Sequence, residues 1–379
     1  MNDKIKNKKI LNVPHLRFKE FSGEWKRCKI GKILKIKSGK DQKAVEKPNG
    51  KYNIYGTGGI IGKTDAFLYD KESIGIGRKG TIDRPFYFNQ PFWTVDTLFY
   101  SEIKKDHCVK FIYYIFETIN WKMYDESTGV PSLSSSTIES IGVYVSNKKE
   151  QQKISDFLTL IDKRIETQMK IIKEIESLKN SIVIKIFGDK SKFLNKWAKN
   201  KLSDILKERK QYAQKGSKYT HVTLSKEGVV NKTDRYNRDF LVKDEEKEYK
   251  VTKLNDICYN PANLKFGVIC LNKYGDAIFS PIYVTYEINK NYNPLFIELA
   301  LTNSTFIGHI RKYEQGTVYE RMAVSSEDFL KGTIITPPFE DQNNIVKAFN
   351  IIDGKLEIEK SILDKLKLQK NYLLNNMFV

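Results

Sequence analysis

The sequence predicts an α+β protein: two β-rich globular domains separated by two long helices that pair as an antiparallel coiled coil, with the halves related by a pseudo-two-fold. Three observations predict it. The stretch from Glu150 to Phe187 overlays the stretch from Asp341 to Phe378 at a constant offset of 191 residues, without a gap. Gln151 meets Gln342, Ile154 meets Ile345, Asp162 meets Asp353, Glu166 meets Glu357 and Phe187 meets Phe378. Such self-similarity at a fixed offset marks a duplicated unit. Both stretches carry apolar residues at heptad spacing, and the 379 residues exceed one core and suit two domains of ~150 residues each.

Taken in order, the chain opens with a lead-in over 1–19. It is basic at Lys4, Lys6, Lys8 and Lys9, and no apolar stretch follows, so no secretory signal is expected. The first domain is expected over 20–148. Its middle is strand-and-turn sequence, with Ile54-Tyr55-Gly56-Thr57-Gly58-Gly59, Phe86-Tyr87-Phe88 and Phe92-Trp93-Thr94-Val95. Aromatic and β-branched runs punctuated by Gly and Pro suggest curved β-sheet. A short helix is expected over 109–120.

The first long helix follows over 149–188. Its ladder alternates steps of four and three through Ile154, Leu158, Ile161, Ile165, Ile172, Ile175, Ile182 and Ile186, with Gln168 and Lys179 on the two polar rungs. Gly188 supplies the stop. The second domain is expected over 189–338, with strands at Ala277-Ile278-Phe279 and Ile282-Tyr283-Val284-Thr285-Tyr286 and a short helix over 294–310. The second long helix occupies 339–379. Ile345, Phe349, Ile352, Leu356, Leu363, Leu366, Leu373 and Met377 form its ladder, and Glu359 and Lys370 its polar rungs. Sustained a/d periodicity without internal Pro argues for a coiled-coil seam, each helix being ~50 Å long. One antiparallel register sets Lys179 opposite Glu359 and Gln168 opposite Lys370.

The duplication extends beyond the helices. Trp25, Ile30, Ile33 and Leu34 align with Trp197, Leu202, Ile205 and Leu206, and Ser134, Ser135 and Ile138 align with Ser325, Ser326 and Phe329. Between these flanks the halves diverge.

Lys and Arg outnumber Asp and Glu by 65 to 46, a net charge of +19 that points to a polyanionic partner, nucleic acid before an anionic membrane. A Lys-rich composition without functional meaning is the bland alternative. Cys28, Cys108, Cys258 and Cys270 form no C-x-x-C pair and the four histidines are scattered, so neither a zinc site nor a disulfide framework is expected. Reduced thiols in a cytoplasmic protein are the simpler reading. No apolar run is long enough to span a membrane.

Gly75-Ile76-Gly77-Arg78-Lys79-Gly80 spells the dinucleotide fingerprint, but Pro85 follows too soon for the helix that motif must open. A hairpin tip is expected instead, with Arg78, Lys79 and Arg84 available to a DNA groove or to phosphates. Lys63, just beyond the Tyr55–Gly59 turn, joins them as a candidate. In the second domain, Arg235-Tyr236-Asn237-Arg238, the stretch from Asn260 through Asn263 to Lys265, and Gly316 to Arg321 with Tyr319 combine cations, amides and aromatics in loops. Arg and Asn are the side chains that read G and A edges by paired hydrogen bonds. Asn260-Pro261-Ala262-Asn263 and Thr336-Pro337-Pro338-Phe339 resemble the Asn/Asp-Pro-Pro-aromatic loop of amino-methyltransferases. The first lacks the second Pro and the aromatic, and the second lacks the amide or carboxylate. No P-loop, H-E-x-x-H motif or nucleophile elbow occurs, so the residues read as a binding protein without catalytic or metal-ligating side chains.

The pattern resembles the specificity subunit of type I restriction-modification systems. The likeness rests on His15-Leu16-Arg17-Phe18 to Trp25, Tyr55-Gly56-Thr57-Gly58-Gly59, Ser132-Leu133-Ser134, and the Glu-Gln-Gln and Glu-Asp-Gln entries to the two helices. The order of domain, helix, domain, helix carries most of it. The resemblance implies that each domain is a target recognition domain reading one half of a bipartite, asymmetric site in double-stranded DNA. The helices would act as spacer and as docking surface for two methyltransferase subunits. It implies no catalysis and no cofactor on this chain. S-adenosylmethionine for adenine methylation, and ATP and Mg for the restriction/translocase subunits, belong to the partners. A free-standing two-domain DNA-binding regulator, or an enzyme with an unrecognised site, remains open at this point.

Overall fold

The computed structural model describes residues 12–188, 197–214, 218–226, 228–231, 248–316 and 322–379. The fold is α+β. The chain divides into two compact units, one of residues 1–169 with 361–379 and the other of residues 170–360. The division cuts each long helix at its middle, so each unit holds half of both.

Unit 1 contains, in order, β1 (Lys26–Lys29), α1 (Ile30–Ile33), β2 (Leu34–Lys37), β3 (Tyr52–Gly56), β4 (Gly59–Thr64), β5 (Ser73–Gly77), β6 (Phe86–Phe88), β7 (Phe92–Thr94), β8 (Leu98–Ile103), α2 (Val109–Thr118), α3 (Ser135–Ser140), β9 (Gly142–Val145) and the start of α4 (Lys148–Phe187). The strands form a sheet of order β2-β8-β5-β6, a smaller one of order β4-β3-β7, and the antiparallel pair β1-β9. The glycine-rich, aromatic sequence suits tight sheets, because a side chain at Gly75 would meet the Phe88 ring at 2.7 Å. Helix α2 buries Phe111, Ile112, Ile115 and Phe116 against Trp25, Ile30, Ile33 and Ile138. Each such side chain contributes about 2 kcal/mol of apolar burial. Ser134 caps α3 by accepting from Thr137 N.

Unit 2 repeats the frame. It contains the rest of α4, then β10 (Ala198–Lys201), α5 (Leu202–Ile205), β11 (Leu206–Glu208), β12 (Tyr212–Gln214), β13 (Thr220–Ser225), β14 (Gly228–Asn231), β15 (Glu248–Thr252), β16 (Ile257–Tyr259), β17 (Ile269–Leu271), β18 (Ala277–Phe279), β19 (Val284–Ile288), α6 (Pro294–Thr302), α7 (Ser304–Ile310), α8 (Ser326–Leu330), β20 (Thr333–Thr336) and the start of α9 (Phe339–Met377). The sheet β11-β19-β16-β17 has the order of β2-β8-β5-β6 with new strands. The pair β10-β20 matches β1-β9 residue for residue, Ala198 facing Thr336 as Lys26 faces Val145. The short helix expected over 294–310 is two helices. Asn303 donates to Leu299 O and Ala300 O, ending α6, and accepts from Phe306 N, capping α7.

The repeated Gln at the entry of each long helix has a structural cause. Gln151 donates to Ser146 O (2.8 Å) and accepts from Cys108 N (3.0 Å) at the start of α2. Gln342 donates to Pro337 O (2.9 Å) and accepts from Asn293 N (2.9 Å) at the start of α6. Each amide therefore ties three pieces of its unit together: strand end, short helix and long helix. Both glutamines are 1% exposed.

Every ladder residue of α4 and α9 is buried or half-buried, whereas the off-ladder Leu160, Leu178, Ile351 and Leu368 are exposed. In unit 1, Ile154 and Leu158 of α4 share a core cluster with Leu374 and Met377 of α9. In unit 2, Glu176 pairs with Lys360 and Lys179 with Asp353. In both units the pairing runs antiparallel.

The polar rungs meet other partners than the sequence suggested. Lys179 bonds Asp353, not Glu359, and Lys370 bonds Asp162 at 2.8 Å and Glu117 at 2.9 Å, not Gln168. Glu359 is engaged by Lys355 one turn back on its own helix. Gln168 and Glu359 are buried. The reason is reach. A lysine on a seam rung extends its stem along the apolar seam and carries its ammonium outward to a flanking carboxylate. The two bridges are one bridge repeated, since Asp162 and Lys179 plus the helix offset of 191 residues give Asp353 and Lys370.

Candidate nucleic-acid interface

The G-x-G-x-x-G motif runs from the end of β5 into the loop before β6. The loop joins antiparallel strands and opens no helix. Its backbone is fixed at several points. Arg78 N donates to Thr97 O (2.8 Å), Arg78 O accepts from Leu133 N (2.9 Å), and Gly80 N donates to Pro131 O (2.8 Å). Gly77 must be glycine, because a Cβ there would lie 2.0 Å from Thr81 O, and Gly80 has φ +92°. Arg78 and Lys79 are held out to solvent by this frame. They line a cleft of about 340 Å³ with Ser38, Glu126 and Ser134. Glu126 accepts from Ser134 Oγ and Thr137 Oγ1, which hold its carboxyl below the usual range. The Arg78 guanidinium lies 5.9 Å from the Phe99 ring centroid.

Arg84 belongs to a different cleft, with Tyr87, Lys110, Tyr113, Lys163 and Lys370. Lys63 is exposed on β4 opposite Asn53 and lines neither cleft. Lys370 is the most enclosed cation of this region, 15% exposed at its side chain. Burial pulls its pKa down, but Glu117 and Asp162 outweigh that and hold it above the ordinary lysine value. Tyr114 also donates to Asp162 (2.7 Å), so Lys370 locks α9 to α4 and α2. That is a positioning role.

In unit 2 the loop between β16 and β17 holds Asn260, Asn263 and Lys265 in a 3-10 turn over Pro261–Phe266. Asn260 spends its side-chain oxygen on Ala262 N. Asn263 is half-buried and its carbonyl accepts from Val268 N. Lys265 is exposed, with Nζ 5.2 Å from the ring of Phe266, itself exposed. The near-methyltransferase stretch at Thr336–Phe339 is a rigid link from β20 into α9. Arg235, Tyr236, Arg238, Tyr319 and Arg321 lie outside the described residues.

The β5–β6 and β16–β17 loops occupy the same place in the two units. Each leaves the third strand of its four-stranded sheet. Each is pinned by the residue just before the Ser cap of the following short helix: Leu133 N donates to Arg78 O, and Val324 N donates to Pro261 O (3.3 Å). One loop presents Arg-Lys, the other Lys-Phe. Sequence reasoning singled out both loops without the link between them. The signal was available, since Leu133 and Val324 lie one residue before the aligned Ser134 and Ser325. Phe266 was missed because an exposed aromatic in a loop leaves no periodic trace.

Among the described residues, no group of three or more His, Cys, Asp or Glu could hold a metal. Among the described residues, likewise, no helix is long and apolar enough to cross a membrane.

Residues 22–177 match the type I restriction modification DNA specificity domain. A putative type I specificity subunit of Mycoplasma genitalium is 24% identical over 93% of this chain and 94% of its own length. One from Mycoplasma pneumoniae is 23% identical over 94% of this chain and 96% of its own. The crystal structure of the M. genitalium type I restriction-modification S subunit superposes with a TM-score of 0.61 at 18% identity, covering 97% of this chain and 99% of that one. A chain from a structure that addresses complex assembly and conformational transition of the type I R-M system superposes with a TM-score of 0.57 at 9% identity, covering 93% of this chain and 97% of that one.

Proposed function

We propose that this chain, a member of the type I restriction-modification specificity family, is the DNA sequence-recognition subunit of such a system and that its two target recognition domains, over 20–148 and 189–338, each read half of a bipartite, asymmetric site. The observation that carries the reading is the repeated frame with unlike loops. The same strand order and the same loop anchor recur, while Arg78-Lys79 at one loop is replaced by Lys265-Phe266 at the other. A scaffold duplicated with its exposed loop residues changed suits two readers of different base sequences. The net charge of +19 supplies sequence-independent phosphate binding.

The chain contributes no catalytic group. The long helices space the readers and seat two methyltransferase subunits, which bind S-adenosylmethionine. Restriction/translocase subunits bring ATP and Mg, and the assembly works in the cytoplasm. The test is methylome sequencing of a methylation-free host that expresses the chain with its partner subunits. A split, asymmetric methyladenine motif is expected. Arg78→Ala with Lys79→Ala should relax one half of that motif and leave the other intact. A continuous palindrome, or relaxation of both halves together, would refute the reading.

A further inference from the structure

The β3–β4 hairpin exposes two large apolar side chains side by side, Ile60 at 60% and Ile61 at 52%. In a regular strand, neighbours point to opposite faces, so one of the two would pack inward. Here the pairing slips: Tyr55 faces Ile60 but Ile54 faces Gly62, leaving Ile61 as an unpaired bulge residue. A bulge re-aims side chains. The tip before them is built open, with Gly59 at φ +125° and open space around both Gly58 and Gly59. The hairpin tip also adjoins the candidate interface, since a Cβ on Gly80 would sit 3.4 Å from Thr57 Oγ1. Lys63 is exposed two residues beyond Ile61 on the same strand, and the exposed Arg78 and Lys79 immediately precede Gly80, which lies beside Thr57 of the hairpin tip.

Unit 2 has the matching hairpin without this feature. Gly228 has φ +122° and is followed by Val229 and Val230. These pair in regular register with Leu224 and Thr223 and are half-buried.

We propose that Ile60 and Ile61 are specificity-determining residues of the first recognition domain, reading the 5-methyl group of thymine in the major groove. The proposal rests on the DNA-recognition reading above. A two-stranded ribbon fits the major groove, and thymine methyl is the apolar group that base edges present there. The cationic neighbours match a polyanionic occupant. Because the described residues of the matching hairpin in unit 2 lack the exposed pair, the contact is assigned to one half-site.

The experiment uses the assembled complex and duplexes carrying the split motif, with each thymine replaced in turn by deoxyuridine, which removes only the methyl group. Wild-type binding should weaken about four-fold at one or more positions of one half-site, the equivalent of one buried methyl. The Ile60→Ala/Ile61→Ala complex should bind the thymine duplex more weakly by a similar factor and be indifferent to deoxyuridine at those positions. Methylation directed by the other half-site controls for folding. A variant that keeps the wild-type sensitivity, or a wild-type complex indifferent to deoxyuridine everywhere, would overturn the proposal. Absence of any split motif would instead count against the recognition reading itself.

Discussion

Gln151 and Gln342 each hold two backbone groups while shut away from water. Truncating either one strands a buried N–H and a buried carbonyl, and an unsatisfied buried group costs about 1–3 kcal/mol. Gln342→Ala should therefore lower unfolding free energy by about 3 kcal/mol in urea denaturation. The exposed Gln152→Ala should change it by less than about 0.5 kcal/mol. The sequence showed these glutamines only as matched letters. Their role could not be read from it, because their partners, Cys108 and Asn293, lie 43 and 49 residues away, are unlike side chains, and are engaged only through the backbone N–H.

The helices were legible as elements because burial of one stripe imposes a period that survives in the letters. Their mutual register was only half legible. Ile154 through Ile186 mark the rungs, but a rung occupied by a long lysine bonds off the ladder, so Asp353 and Asp162 gave no periodic signal. The structural register makes a direct prediction. Lys179→Glu should destabilise unit 2 mildly, and adding Asp353→Lys should restore it, with a coupling of about 0.5–1 kcal/mol for a partly exposed pair. Adding Glu359→Lys to Lys179→Glu should restore nothing. Thermal melts of Lys179→Glu, Asp353→Lys, the two double variants and the parent measure both. The sheets show the opposite balance. β5 and β16 hold the same place in the same strand order, yet Ser73–Gly77 and Ile257–Tyr259 share no pattern a reader could align. Strand pairing is made by backbone and asks of the side chains little beyond apolar bulk.

At the scale of the whole molecule, charge and duplication act together. If the exposed cations of the β5–β6 loop touch phosphates, each contact releases counterions, and log Kobs falls with log salt by about 0.9 per contact. Arg78→Ala with Lys79→Ala should then reduce the salt slope of the assembled complex by up to about 1.8, measured by titration at several ionic strengths. An unchanged slope with a changed motif would assign both side chains to base edges.

The strand pairs β1-β9 and β10-β20 close their units in one shared register, although the offset between the halves grows from 172 residues at Trp25 and Trp197 to 191 at Ser134 and Ser325. The frame thus accepts inserts of unequal length without alteration. For the gene this makes the paired codons natural crossover points. A recombination between them would deliver a foreign middle into a fitting that already matches, and a new specificity could be inherited in one event, with no compensating mutation in either helix.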